Sequence, residues 1–224
     1  MTIDPDYSEN DPAWSPDGRE IAFGRTTSNA SGIQAAIWIM SADGTSPRRV
    51  LDGVTGRIAW LPDGKHMMIQ KDDGLLRLDL ASKVAAPVAG ASGRTLFSVD
   101  RSGDWIAFQI ADRGKMRIAA IPSGGGTSRI VDTGSYDAYH PSFSPSGRWL
   151  YFQPDHKNLF RVPGPAQAWS TGPPEKVTEL SGPDLYIEDP KISPDGAKLF
   201  YTRGRRTGDI FILRADSNAR RKSR

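Results

Sequence analysis

Short apolar runs separated by turn-forming residues dominate the hydrophobic pattern along the chain. Five apolar triplets stand out: Ile21-Ala22-Phe23, Met67-Met68-Ile69, Ile106-Ala107-Phe108, Leu150-Tyr151-Phe152 and Leu199-Phe200-Tyr201. Segments that are this short and apolar at every position predict strands buried on both faces. No helical period of useful length appears. The pattern therefore predicts an all-β protein.

A turn signature precedes each triplet and repeats along the chain. It is Trp14-Ser15-Pro16-Asp17-Gly18 in the first copy and Phe143-Ser144-Pro145-Ser146-Gly147 in the fourth. Proline favours the second position of a type I turn, and glycine takes the left-handed conformation that closes a three-residue hairpin. We therefore expect a structural role for the glycine of every copy, namely Gly18, Gly64, Gly103, Gly147 and Gly196.

The spacing of these glycines identifies the repeating unit. They are 46, 39, 44 and 49 residues apart, which matches the roughly 40–45 residues of a four-stranded propeller blade. Third and fourth strands follow each triplet, as in Ile37-Trp38-Ile39-Met40 and Arg48-Arg49-Val50-Leu51 of the first copy. The sequence thus predicts a β-propeller of four-stranded blades over residues 1–216, and a basic disordered tail over 217–224. The five blades are expected near residues 11–51, 56–90, 96–131, 139–178 and 189–216.

The two ends of the pattern raise the question of ring closure. Thr2-Ile3 has the position of the last residues of a fourth strand, while the fifth blade runs from its third strand, Ile210 to Leu213, into the polar tail. We expect a fragment of a larger six- to eight-bladed ring, with apolar blade edges that favour self-association. The alternative is a closed five-bladed ring in which the first residues complete the fifth blade.

The repeat resembles a known family. The string Asp11-Pro12-Ala13-Trp14-Ser15-Pro16-Asp17-Gly18-Arg19-Glu20-Ile21-Ala22-Phe23, followed by Ile37-Trp38-Ile39-Met40-Ser41-Ala42-Asp43-Gly44, is similar to the PD40 (WD40-like) repeat of TolB-like propellers. Blade three departs most, with Asp100-Arg101-Ser102-Gly103 in place of Ser-Pro-Asp-Gly. The resemblance implies the fold. Function must be argued from the site, since propellers serve unrelated roles.

Composition and charge exclude several classes of site. The chain has no Cys, so thiolate catalysis, Cys zinc sites and iron–sulfur clusters are excluded. Its three His, His66, His140 and His156, do not have metal-ligand spacing, and no nucleophile-elbow or phosphate-loop motif appears. We therefore expect no metal, no cofactor and no enzyme activity.

The net charge of +3 comes from the C-terminal end. Four of the last five residues are basic: Arg220, Arg221, Lys222 and Arg224. Without these four, the chain has 25 basic and 26 acidic residues. A body without a basic stripe does not predict nucleic-acid binding, and no apolar run is long enough to span a membrane. The first residues lack the features of a signal peptide. The compartment is left open between cytoplasmic and periplasmic.

Candidate binding residues lie just before the prolines that precede three of the predicted first strands. Each of these three segments couples tyrosine with carboxylates, and we expect them to be loops gathered on one face around the channel mouth. The alternative is that the tyrosines pack between blades and the aspartates cap turns. The candidates are Tyr7, Glu9, Asp11, Tyr136, Asp137, Tyr139, His140, Tyr186, Glu188 and Asp189.

Two functions are consistent with this pattern. The first is a non-catalytic module that binds a protein or peptide on the loop face, as the sensor part of a longer bacterial regulator or kinase. The second is the substrate-gating propeller of a peptidase, of the tricorn or prolyl-oligopeptidase type, whose hydrolase domain is absent from the sequence.

Overall fold

The computed structural model is an all-β propeller of antiparallel blades, as the sequence predicts. It describes residues 7–29, 32–54, 56–72, 74–91, 95–154, 157–169, 172–181, 185–193 and 195–205. Four sheets have four strands each, and two strands of a fifth sheet fall within the described residues. Within each sheet the strands follow chain order, so every blade is a simple meander.

The strand bounds follow the repeat closely. Blade one contains β1 (Tyr7–Trp14), β2 (Glu20–Asn29), β3 (Gly32–Ser41) and β4 (Arg48–Asp52); blade two contains β5 (Ile58–Trp60), β6 (His66–Lys71), β7 (Gly74–Asp79) and β8 (Ala85–Pro87). Blade three contains β9 (Thr95–Val99), β10 (Trp105–Asp112), β11 (Lys115–Pro122) and β12 (Arg129–Ile130). Blade four contains β13 (Tyr139–Phe143), β14 (Trp149–Gln153), β15 (Phe160–Pro163) and β16 (Glu175–Lys176), with a 3₁₀ helix at Pro165–Gln167; blade five contains β17 (Leu185–Ile192) and β18 (Leu199–Arg205).

The core lies between blades rather than within one sheet. Successive residues of a strand point to opposite faces, so Phe108 packs towards blade two while its neighbour Ala107 packs towards blade four. A third cluster joins blades one and two, where Ile37 meets Met67. Burial on both faces explains why the triplets of the middle blades are apolar at every position.

The turn signature has the same backbone geometry in all five blades. The five signature glycines have φ between 64° and 80°, the left-handed region. Each donates its amide to the carbonyl three residues earlier, as Gly18 does to Ser15 at 2.9 Å. The hydroxyl of Ser15 accepts the amide of Glu20 at 2.9 Å and donates to Asp17 at 2.6 Å. This last bond is the main reason that the pKa of Asp17 is lowered.

Blade three keeps this network although its sequence departs from the signature. Asp100 stands at the position of the signature serine, and its Oδ1 accepts the amide of Trp105 at 2.9 Å. Ser102 stands at the position of the aspartate and donates its hydroxyl to Asp100. The serine and the aspartate have exchanged places, so the turn retains its pair of hydrogen-bonding side chains.

Two sequence-based expectations are corrected by the structure. The segments expected to be loops before the first strands belong largely to those strands, since β1 begins at Tyr7 and β17 includes Asp189-Pro190. A β-bulge accommodates the proline in each case, so the strand continues past it. The fifth triplet is not buried on both faces, because Phe200 is 58% exposed. The expected closing segments, Thr2-Ile3 and Ile210 to Leu213, and the tail lie outside the described residues.

We expect Gly18→Val and Gly196→Val each to lower the free energy of unfolding by about 1–2 kcal/mol. The cause is the left-handed backbone, which is unfavourable for a β-branched residue, since no atom lies within 4 Å of a Cβ placed at either glycine. Urea unfolding measures the loss. Gly124→Ala is the control, because Gly124 also has open space and lacks the positive φ. Unchanged midpoints for both valine variants would contradict the turn assignment.

Candidate functional site: the central channel

A single cavity follows the axis of the propeller. Its volume is about 500 Å³. In every blade, the first strand, which is the innermost one, or the residue just before it contributes side chains to the wall of the cavity. These are Asp11, Pro12, Arg57, Ile58, Ala59, Phe97, Ser98, Val99, Pro141, Ser142 and Lys191. The wall thus mixes apolar and polar groups, and it carries one carboxylate and two cationic side chains from three different blades.

A repeated bulge shapes one end of the channel. In blade one the register skips from Asn10 to Ala13, so Asp11 and Pro12 lie opposite Phe23. Blades three, four and five have register shifts at the corresponding place. The residue at the bulge has positive φ in blades one, three and four: 49° at Asp11, 47° at Leu96 and 51° at His140. Such a conformation costs free energy in L-residues other than glycine, so neighbouring groups must support it.

In blades three and four, a glutamine of the preceding blade provides this support. Gln70 Oε1 accepts the amide of Leu96 at 3.3 Å, and Gln109 Oε1 accepts the amide of His140 at 3.3 Å. In the next blade Gln153 donates through Nε2 to the carbonyl of Ile187 at 3.0 Å. The three glutamines follow the apolar triplet directly in blades two, three and four. They therefore link each of these blades to the inner strand of the next one.

Sequence reasoning missed both the glutamines and the basic residues of the channel. A signal for the glutamines was present, because a polar residue recurs at one register position after the buried triplet. Arg57 and Lys191 carried no comparable signal. They are single basic residues in segments whose alignment on one axis appears only once the blades are stacked.

The predicted residues of blade one form an ion pair and a cation–π stack. Glu9 accepts Arg25 Nη2 at 2.6 Å and Nε at 3.0 Å. The Arg25 guanidinium lies 4.7 Å from the ring centres of both Tyr7 and Trp38. Asp11 alone of the three blade-one candidates lines the channel. Tyr7 is 40% exposed and begins β1, four residues before the bulge.

The candidates before blade four divide between packing and exposure. Asp137 accepts the amide of Met116 at 2.7 Å, so its carboxylate is used to hold the start of β11. The ring of Tyr136 packs at 5.0 Å from Phe160 and is 41% exposed. Tyr139 and His140 begin β13 and are half-buried. Asp137 thus binds a backbone amide, as expected if the aspartates only cap turns. Tyr136 packs against another ring on one side, as expected if the tyrosines only pack between blades, and is exposed on the other.

The candidates of blade five are only partly described. Tyr186 is half-buried on β17, opposite Gly204. Its ring occupies the space that a Cβ at that glycine would fill. The backbone of Glu188 and Asp189 belongs to β17, while their side chains lie outside the described part of the chain. A binding role for the ten candidates stays a prediction.

Two further features concern metals and membranes. Within the described ranges, no group of three or more His, Cys, Asp or Glu side chains is placed to hold a metal ion. His156 falls outside those ranges. The described part of the chain also contains no helix that is long and apolar enough to cross a membrane.

Comparison with curated proteins gives two relatives of low similarity. An uncharacterized protein, Atu1656 of Agrobacterium fabrum (strain C58), is 28% identical over 160 residues, which cover 69% of this chain and 52% of that protein. An uncharacterized peptidase, YuxL of Bacillus subtilis (strain 168), is 30% identical over 157 residues, which cover 63% of this chain and 21% of that protein. The chain thus spans about half of one relative and a fifth of the other. No family model matches it, so membership of the PD40 family stays a prediction.

The comparisons contradict the expectation that the protein is not an enzyme. One curated relative is named a peptidase. Similar solved structures include an oligogalacturonate lyase in complex with manganese (TM-score 0.68, 14% identity, 92% of this chain and 62% of that one). Another is the acylaminoacyl peptidase of Pyrococcus horikoshii, with a TM-score of 0.61 and 14% identity. The match covers 87% of this chain and 35% of that one. The lack of a catalytic motif in this sequence does not decide the question, because the matched segment is 21% of the peptidase relative.

The same comparison supports the fold. TolB from Acinetobacter baumannii matches with a TM-score of 0.63 at 17% identity. The match covers 88% of this chain and 54% of TolB. Sequence identity this low supports a shared fold but does not support a shared function. The chain has a TolB-like β-propeller fold.

Proposed function

We propose that the chain binds extended peptide segments in its central channel and, in the whole protein, selects the peptides that reach a peptidase active site. The observation that carries the proposal is the cavity of about 500 Å³ to which all five blades contribute. The peptidase name of one relative supports the second half of the proposal.

The chemistry of the wall suits a peptide. Ligand pockets combine apolar surface with polar groups that fix orientation, and this lining has both kinds in similar amounts. Pro12, Phe97 and Pro141 give the channel rigid apolar surface. Arg57 and Lys191 supply cationic groups for a carboxylate or backbone carbonyls, and Asp11 supplies a carboxylate for an amino group.

Two tyrosines that do not line the cavity lie near the starts of inner strands. Tyr7 and Tyr136 are both partly exposed and lie at or just before the start of an inner strand. Tyrosine offers large contact area with a polar tip, as binding surfaces favour. We assign them to the first contact with a peptide that enters the channel.

Blocking the channel tests the proposal. Ser142 lines the cavity and is half-buried, so Ser142→Trp should fill it and raise the Kd of a fluorescein-labelled peptide by about ten-fold or more, or 1.4 kcal/mol. Anisotropy titration with an unstructured octapeptide measures the change. Ser28→Trp is the control, because Ser28 is exposed on β2 away from the channel lining.

Two outcomes would contradict the proposal. The first is a Kd that is the same for Ser142→Trp and Ser28→Trp. The second concerns the whole protein, where Ser142→Trp should lower kcat/KM for peptides and leave the hydrolysis of a small ester unchanged. An equal loss for both substrates would show that the channel does not select peptides.

A further inference from the structure

A second cavity, of about 480 Å³, lies between blades three and four. The turns that follow β9 and β13 line it, together with Pro165 and Ala166 of the 3₁₀ helix. These turns are at the opposite end of the inner strands from the bulges. The cavity is therefore separate from the bulged mouth of the channel and shares no lining residue with it.

An insertion in blade four, longer than the corresponding connections of blades one to three, builds one wall of this groove. The connection between the third and fourth strands covers residues 164–174 in blade four, against 42–47, 80–84 and 123–128 in blades one to three. The insertion is held on the neighbouring turn. The amide of Ala166 donates to the Gly147 carbonyl at 3.0 Å, and that of Gly164 donates to Arg148 at 2.7 Å.

The insertion contains a strained conformation that fixes an aromatic anchor. Ala168 and Trp169 have φ of 51° and 53°, which is unfavourable for residues with a side chain. Trp169 is nevertheless buried, with its ring 5.3 Å from that of Trp105 in an edge-on arrangement. Strain of this kind persists where the surrounding structure enforces it, and it is frequent at binding sites. The wall is thus formed before any ligand arrives.

The groove has the surface that proline-containing segments use. Trp105, Pro145 and Pro165 give it rigid aromatic and apolar walls. Extended proline-containing peptides dock in aromatic-lined grooves at low entropic cost, because their conformation is already restricted.

The charges of the groove complement a basic ligand. The lining has two carboxylates, Asp100 and Asp104, against the single guanidinium of Arg101. Asp100 is 5% exposed and already accepts the Trp105 amide and the Ser102 hydroxyl, so Asp104 is the carboxylate that a ligand can reach. Asp104 is exposed at the rim. A net negative groove favours a partner with positive side chains and disfavours an acidic one.

We propose that this groove is a second binding site, for extended proline-containing peptide segments that carry a basic side chain. The site is independent of the proposed function of the channel. Its position on the opposite end of the propeller allows a partner protein to be held while the channel stays open.

A labelled peptide tests the site. The probe is a fluorescein-labelled nonapeptide of proline pairs separated by arginine, and the control probe has alanine in place of each proline. We expect saturable binding of the proline probe only. Ala166→Arg, which fills the groove and adds a repelling charge at an exposed position, should raise its Kd by about ten-fold or more. Asp104→Asn should weaken binding by several-fold.

A matched control substitution lies in blade two. Ala81→Arg places the same charge at an exposed turn residue of blade two and should leave the Kd unchanged. Absence of binding, equal affinity for the alanine probe, or an unchanged Kd for Ala166→Arg would each overturn the proposal. Ser142→Trp, which blocks the channel, should not affect this probe, so failure of one site does not imply failure of the other.

Discussion

Phe108→Ala should lower the free energy of unfolding by about 3–5 kcal/mol, as large-to-small substitutions of buried phenylalanine do. The Phe108 side chain is 0% exposed and lies in the cluster that joins blades two and three, with Met68 and Phe97 among its members. Its removal leaves a cavity at the junction, because strands on both sides are held by their own sheets. Urea unfolding followed by tryptophan fluorescence measures the loss.

Phe200→Ala is the matched control for this prediction. Phe200 belongs to the corresponding triplet of blade five and is 58% exposed, so its removal should change the free energy of unfolding by much less. Similar losses for the two variants would show that the junction of blades two and three is not a principal source of stability.

Gln153→Leu should lower the free energy of unfolding by about 1–3 kcal/mol, the usual cost when a buried polar group loses its partner. Gln153 is 0% exposed, and its amide donates to the Ile187 carbonyl of blade five at 3.0 Å. Leucine has a similar volume but cannot donate, so the carbonyl loses this donor in a buried position. Chemical denaturation measures the effect.

The control for this prediction is Gln34→Leu, at an exposed position of β3, which should have little effect. Because Gln153 holds the inner strand that carries Lys191, its substitution should also weaken peptide binding in the channel. Full stability in Gln153→Leu would show that the glutamine link between blades four and five is dispensable.

The repeat could be predicted because its determinants are local. A turn that needs left-handed φ selects glycine, and Gly18 and Gly196 meet that requirement in their own hairpins. Burial on both faces selects the apolar triplets. Both constraints act within a few residues and recur at the blade period, so sequence alone predicted the propeller class and the positions of the apolar strands.

The candidate site could be predicted only in part. The sequence drew attention to Asp11 and His140 as residues preceding a proline, and the structure places both at the bulge of an inner strand. It treated the surrounding segments as loops that gather around the channel mouth. A proline lacks an amide for a sheet ladder, so these segments could join a strand only through an irregularity. The bulge removes that conflict, and it forms only with support from other groups, such as the bond from Gln109 to the His140 amide.

The sequence by itself determined the repeat, the hairpin turns and the alternation of buried positions in this protein. Only the tertiary structure decided which distant residues share a cavity. Arg57 and Lys191 meet on one axis because separate blades stack around it. Trp105 and Pro165 face one groove because an insertion packs across a blade junction. The physical reason is range: turns and strand faces depend on neighbours in sequence, whereas cavities depend on how whole sheets pack.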